Sequence, residues 1–196
     1  PMSFSSVTKE MKAMARLVRE QKIRYVGVSN FSAYQMRKAH EELSRQGYVL
    51  ASNQVQYNLL QRKIERNDIM KTAKELGIAI IAYSPLAQGI LTGKYHEHPE
   101  RIQSRKDLRK KMPAFRKKGL EKTQPLIDVL NSIAQKYNVT AAQVALNWLI
   151  HFHGEYVFAI PGASNSQQAL SNAQAMNFKL SREEMDQLDR ESQKVQ

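Results

Sequence analysis

Residues 78–83 read Ile-Ala-Ile-Ile-Ala-Tyr, a nearly continuous apolar run entered from Gly77 and left through Ser84-Pro85. Such a run fits a strand covered on both faces, as in a parallel sheet. The flanking sequence supplies helices to cover it. Met11, Met14 and either Leu17 or Val18 recur at helical spacing within Glu10–Glu20, and residues 25–29 follow as a strand. Ser32 can cap a helix over Ala33–Arg45, with Gly47 beyond its end, and Val49–Gln56 reads as a second strand. A helix over Glu65–Glu75 leads into the apolar run. Ser84–Lys118 reads mostly as loop, and helices follow over Gln124–Lys136 and Ala141–His151, the latter capped by Thr140. Val157–Ile160 is the fourth strand and Ser166–Met176 a further helix. Ser181-Arg182-Glu183-Glu184 resembles a capping box that opens the last one.

Strand and helix alternate four times, which is βα architecture. Two forms stand open: a small open sheet, or half of an eight-stranded barrel. No GxGxxG follows any strand, which weakens a dinucleotide fold of the open-sheet type. Polar residues gather instead at strand ends: Ser29-Asn30, Asn53–Gln56, Tyr83-Ser84, and Pro161-Gly162-Ala163-Ser164-Asn165. In a barrel, those carboxyl ends form the functional rim.

With 196 residues, 42% of them hydrophobic, the chain can bury one sizeable core. Its formal charge of +12 suits a phosphorylated small molecule, an acidic surface or nucleic acid. The charge concentrates between Arg101 and Lys118, where Asp107 alone opposes the bases and Phe115 is the only aromatic residue among them. A nucleic-acid platform ordinarily adds stacking aromatics, so a solvated loop or one closing on a phosphate ligand fits better. There is no Cys, hence no disulfide or thiolate chemistry, and no apolar run that suits a membrane span or leader. A cytoplasmic setting follows as the expectation. His40, His96, His98, His151 and His153 form no zinc-like spacing, and no nucleophile elbow, Walker loop or paired-carboxylate pattern stands out.

The segments KIRYVGVSNFS (22–32), SNQVQYN (52–58), AYSPL (82–86) with Gly89, LTGKY (91–95) and IPGAS (160–164) resemble, in order and nearly end to end, the aldo-keto reductases. The initial helix resembles the one after the family's fourth barrel strand. That resemblance implies an incomplete (β/α)8 TIM barrel made of strands five to eight with their helices. It implies a single partial barrel domain over 1–196, with a long basic loop about 85–122 and a C-terminal helix about 182–194. On this reading the chain matches only the C-terminal half to two-thirds of a typical member. The family's catalytic Asp, Tyr, Lys and His then have no counterpart here, and Tyr25, Tyr34, Tyr57 and Tyr95 are not promoted in their place.

The resemblance also implies site residues. Ser29 and Asn30 match the pair that meets the nicotinamide carboxamide; such a group needs donors and acceptors, which Asn and Ser supply. Gln54 matches a Gln on the same carboxamide, and Tyr83 the aromatic residue that stacks on the nicotinamide ring. Ser84, Leu86, Gln88 and Gly89 fall where the family wraps the pyrophosphate. Gly162-Ala163 and Gln168 stand where many NADPH-preferring relatives carry Lys-Ser and Arg, while Asn172 matches the Asn at adenine; Ser164 and Asn165 offer further hydrogen bonds. The implied cofactor is NADP(H), preferred on overall basicity and family habit, with NAD(H) open.

The implied activity is reduction of aldehydes or ketones by hydride transfer, with this chain as part of the enzyme and inactive alone. An N-terminal half-barrel chain or self-association would complete it, and a small carbonyl compound would be the substrate. Two other readings stand beside this one. One is a catalytically inactive NAD(P)(H)-binding or regulatory protein; the other is a basic nucleic-acid-binding protein, which rests on charge alone. No membrane partner and no metal are expected.

Overall fold

The computed structural model describes residues 6–103 and 111–196. Four strands, β1 (Val26–Ser29), β2 (Leu50–Gln56), β3 (Ala79–Tyr83) and β4 (Val157–Ile160), form one sheet in that order. All three pairings are parallel, with Ser29 opposite Gln54, Gln56 opposite Tyr83, and Tyr83 opposite Ile160. Helices separate the strands: α1 (Val7–Arg19), α2 (Ala33–Ser44), α3 (Lys63–Arg66), α4 (Ile69–Leu76), α5 (Lys94–Glu97), α6 (Glu100–Gln103), α7 (Lys117–Tyr137), α8 (Ala141–His151), α9 (Ser166–Gln174) and α10 (Arg182–Lys194). This is an α/β fold with the architecture of part of a (β/α)8 barrel.

Local signals start the helices as the sequence indicates. Ser32 Oγ accepts from Gln35 N at 3.3 Å while the Gln35 side chain accepts from Ser32 N at 3.0 Å. Thr140 with Gln143, and Ser181 with Glu184, repeat the reciprocal arrangement. Each box satisfies two amides that a helix start would otherwise leave without partners.

The apolar run over 78–83 behaves differently from expectation. Ile80 and Ala82 are fully buried, whereas Ala79, Ile81 and Tyr83 on the alternate face are only partly covered. The same face of β4 exposes Phe158 by 57% and Ile160 by 46%. Helices pack against one side of the sheet, joining Val55, Ile80, Ala82 and Val157 to Leu126, Leu130, Val144 and Trp148 in the main core. The strand is apolar on two faces, but the described residues cover one. A polar group inside that core is resolved locally: Asn53, fully buried, donates to Phe31 O at 2.9 Å and accepts from Phe31 N at 3.3 Å. It thereby fixes where the chain leaves β1.

The stretch read as loop after β3 carries structure of its own. A 3₁₀ turn over Ala87–Thr92, α5, α6 and a second 3₁₀ turn at Pro113–Phe115 enclose a small cluster of Ile90, Tyr95, Ile102, Phe115 and Leu120. Helix α7 begins at Lys117, ahead of the expected Gln124, and Pro125 lies inside it. Leu120, Thr123, Leu126 and Ile127 bury one continuous stripe, so packing carries the helix through the proline. Arg105, Lys106, Asp107, Arg109 and Lys110 of the basic run lie outside the described residues. The expected single helix over 65–75 is divided into α3 and α4 at Asp68, whose φ of 62° is left-handed.

A buried knot ties the exit of β2 to α10. The Arg62 guanidinium, 4% exposed, lies 5.0 Å from the Trp148 ring and 5.2 Å from the Phe152 ring. It pairs with Glu65 at 2.7 Å and with Asp189 at 2.5 Å. Glu65 also accepts from Tyr57 and lies 3.1 Å from His153 Nε2. Burial pushes the Glu65 carboxyl up, but hydrogen bonds from His153, Arg62 and Tyr57 outweigh it and hold the pKa at about 2. Among the described residues no helix is long and apolar enough to cross a membrane, and no group of His, Asp and Glu could hold a metal ion.

Candidate functional site

Beyond the carboxyl ends of β3 and β4 the chain folds into two short segments that face each other across a cleft of about 770 Å³. One wall is the turn after β3, with Ser84, Leu86, Gln88 and Gly89; the other is the entrance to α9, with Ser164, Gln168 and Asn172. These are residues the sequence marked, brought together from positions far apart in the chain.

The first wall follows an unusual course. Ser84, Ala87 and Gln88 have φ of 52°, 48° and 55°, in the left-handed region that non-glycine residues seldom enter. Gly89 follows at 102°, and a Cβ there would also lie 3.2 Å from the Tyr95 ring. Ala87 N donates to Ser84 O at 2.9 Å, Gly89 N to Leu86 O at 2.8 Å, and Thr92 Oγ1 to Gly89 O at 2.7 Å. The second wall is held by side chains. Asn165 caps α9 by accepting from Gln168 N at 2.9 Å, Gln168 Oε1 accepts from Ser164 N at 2.8 Å, and Asn172 Nδ2 lies 3.4 Å from Gly162 O. Gln168 and Asn172 therefore shape this wall as well as lining it.

Ser29, Asn30, Gln54 and Tyr83 are not lining residues of that cleft; they gather on the adjoining strand ends. Asn30 is left-handed, with φ of 57°, and its backbone N donates to Gln54 O at 2.8 Å. The same carbonyl accepts from Ser29 Oγ at 3.1 Å, and Asn30 Nδ2 donates to Ser29 Oγ at 3.4 Å. Ser29, Gln54 and Tyr83 share the open face of the sheet, and Tyr83 sits opposite Ile160, which borders the cleft. A cluster of hydroxyl and amide groups thus adjoins a polar cleft.

Thr92 and Lys94 of the LTGKY segment and the helix cap Thr140, none of them expected as site residues, also line the cleft. Lys94 is the one cationic side chain among the described lining residues, with its Nζ 5.1 Å from the Tyr95 ring. The signal was available in the LTGKY segment, where the lysine follows a glycine of φ 77° that opens α5. At the far wall Gly162, Ala163 and Gln168 contribute no charge. Chemically, the assembly offers amide donors and acceptors at one end, a cation beside a tight turn in the middle, and neutral polar groups at the other.

The aldo/keto reductase family model matches residues 4–192. The aldo-keto reductase str7 of Strobilurus tenacellus is 35% identical over 175 residues, which are 88% of this chain and 50% of that protein. A thermostable aldo-keto reductase crystallised with the inhibitor epalrestat superposes with a TM-score of 0.71 at 29% identity, covering 97% of this chain and 57% of that one. A putative 2,5-diketo-D-gluconic acid reductase B shares the fold, with a TM-score of 0.68 at 24% identity over 97% and 53%. The chain spans about half the length of the curated relative it matches.

One expectation is corrected here. The resemblance was to be confined to the C-terminal half to two-thirds of a typical member, but the family model spans residues 4–192, nearly the whole chain. Strand-end residues, helix order and family match agree, and the chain belongs to the aldo/keto reductase family.

Proposed function

We propose that this chain is the cofactor-holding part of an NAD(P)H-dependent reductase of aldehydes or ketones, one partial barrel domain whose strands are barrel strands five to eight. The observation that carries this reading is the order of chemistry along the site: amide-recognising strand ends, then the Ser84–Gly89 turn with Lys94, then the neutral polar wall at Ser164–Asn172. A nicotinamide dinucleotide presents a carboxamide, a pyrophosphate and an adenosine in the same order, so the residues fit it.

In this reading Ser29, Asn30 and Gln54 hold the carboxamide, and Tyr83 supports the ring. Ser84, Leu86, Gln88 and Gly89 hold the pyrophosphate with Lys94 offsetting its charge, and Ser164, Gln168 and Asn172 receive the adenosine. When bound, the cofactor supplies hydride to a carbonyl carbon; the protein orients it and presses one face. No residue of this chain is assigned as the proton donor. The catalytic Asp, Tyr, Lys and His belong to a part of the barrel this chain does not supply, so a second half-barrel or self-association completes the enzyme. The open sheet face and the edges of β1 and β4, which pair with no further strand among the described residues, support that requirement. NADP(H) is preferred over NAD(H), on the formal charge of +12 and on the family's habit, and the setting is cytoplasmic.

The test is a fluorescence titration of the 196-residue chain with NADPH and, in parallel, NADH, followed by an assay with a reactive aldehyde. Saturable binding, tighter for NADPH, with no turnover supports the reading. Absence of binding removes the cofactor assignment, and robust turnover by the chain alone removes the requirement for a second half.

A further inference from the structure

Asn58 closes the SNQVQYN segment, and none of the roles assigned above uses it. It is 1% exposed, and both ends of its side-chain amide are engaged. Oδ1 accepts from Leu60 N at 2.8 Å, and Nδ2 donates to Ser84 O at 2.8 Å. Its backbone is fixed too, exchanging hydrogen bonds with Gln61 at 3.2 and 2.9 Å. The side chain therefore has little freedom to point elsewhere. A rigid group on the exit of β2 grips the first residue after β3.

The residue it grips opens the strained wall of the cleft. Ser84 has φ of 52°, and its carbonyl also accepts from Ala87 N, the next left-handed residue. Left-handed backbone at several non-glycine positions persists only where surrounding contacts over-determine it. The tight turn bonds run along the segment itself, so they follow its course and do not select it against a relaxed one. The Asn58 amide is an anchor from outside the turn, and its donor has no nearby water-facing alternative, because the residue is buried.

We infer that Asn58 is a positioning residue: its side-chain amide clamps the Ser84 carbonyl and holds the 84–89 turn in the left-handed course that lines the cleft for a pyrophosphate. This rests on the reading that the turn carries the pyrophosphate of a dinucleotide, and it adds what keeps the turn ready. Asn58 touches no ligand. It acts through Ser84, so its loss is felt as a turn that spends time in relaxed forms from which binding must recover it.

The experiment compares the wild-type chain with Asn58→Ala, Asn58→Asp, Ala87→Gly, and Asn58→Ala combined with Ala87→Gly. Two readouts are taken: amide hydrogen exchange without ligand, and NADPH affinity by fluorescence. Ala87 is not a lining residue of the cleft, and glycine there removes the left-handed penalty at the cost of one partly buried methyl that packs against the core. Asn58→Ala is expected to speed exchange at Ala87, Gly89 and Leu91 by about tenfold, leave Ile80 and Ala82 unchanged, and weaken NADPH by about tenfold. Adding Ala87→Gly is expected to recover about threefold of that affinity, although alone it changes affinity less than about twofold. Unchanged exchange in the turn, or no recovery by the glycine, overturns the inference. If Asn58→Ala loosens the core amides as well, Asn58→Asp decides, since it keeps the shape and the acceptor for Leu60 N; exchange confined to the turn supports the clamp and general loosening overturns it. If even the wild-type chain fails to bind NADPH, the cofactor reading falls, while the exchange pattern still decides whether Asn58 holds the turn.

Discussion

The Tyr83 hydroxyl donates to the Asn30 side-chain oxygen at 3.3 Å, joining the ends of β3 and β1 across the strand between them. Neighbouring strands lie roughly 4.8 Å apart, so this contact spans about 10 Å of backbone separation. The chain of bonds continues from Asn30 Nδ2 to Ser29 Oγ at 3.4 Å and from Ser29 Oγ to Gln54 O at 3.1 Å. The Ser29 and Asn30 side chains are thus engaged with each other, with Tyr83 and with the Gln54 backbone carbonyl through long and exposed bonds.

Tyr83→Phe keeps the ring and removes the donor that occupies Asn30 Oδ1. A ligand amide then meets a free acceptor, and NADPH is expected to bind about twofold to fivefold more tightly, the range for losing one exposed neutral hydrogen bond. Tyr83→Ala removes the stacking surface as well and is expected to weaken binding. Fluorescence titration of both variants checks the pair; weaker binding by Tyr83→Phe would place the hydroxyl among the ligand contacts instead.

Lys94 is the one cation among the described residues of the cleft. Lys94→Met is expected to weaken NADPH by about tenfold, the low end for a charge-assisted contact because the side chain is partly exposed. The deficit should shrink as salt is raised from low to physiological strength, since the wild-type advantage is screened. A nicotinamide fragment without phosphates should bind both proteins equally. Calorimetric titration at two salt concentrations measures each point.

Glu65 gives stability a pH dependence. Its carboxyl is pulled from the ordinary 4.5 to about 2 in the folded chain, where Arg62, His153 and Tyr57 surround it. A carboxylate with a lowered folded pKa binds fewer protons than in the unfolded chain. Its contribution is therefore complete above about pH 4.5 and is lost as pH falls through about 2. Thermal melts of Glu65→Gln should lie below wild type at pH 7, by the order of 2 kcal/mol for one partner removed from a buried cluster. The two curves should converge between pH 4.5 and 2 as the wild type loses that contribution. Parallel melts over the whole range would remove Glu65 from the account.

Helix starts were legible because each is signalled locally: Ser32 and Thr140 as caps, and Ser181 with Glu184 three residues on as a capping box; the structure adds Gln35 and Gln143 as the reciprocal partners. The strand ends were legible as an ordered set, and the cleft gathers Ser84, Gly89, Ser164 and Asn172 from it. What escaped is non-local. Nothing beside Asn53 or Asn58 announces that one holds Phe31 and the other Ser84, because each partner lies on a different strand end. Ile81 read as doubly covered because apolarity reports what a side chain tolerates, not what packs on it. The helix expected from Gln124 begins instead at Lys117, because a buried stripe that the basic stretch conceals runs back to Leu120.

Two glycines separate a backbone clash from a side-chain one. A Cβ at Gly119 would lie 2.7 Å from Ala114 O and closer still to Pro113 O, both backbone atoms of the turn that α7 packs against. A Cβ at Gly27 would meet Ser52 Oγ at 2.5 Å, the end of a side chain that can rotate away. Gly119→Ala is therefore expected to destabilise by about 1–3 kcal/mol, as overpacking does, and to loosen the cluster around Phe115 first. Gly27→Ala should cost less than about 1 kcal/mol, because Ser52 has a rotamer to yield into. Denaturant melts of the two variants, with amide hydrogen exchange at Phe115 and Leu120 reporting on that cluster, rank them. Equal costs would mean that the α7 entrance moves as readily as a serine side chain.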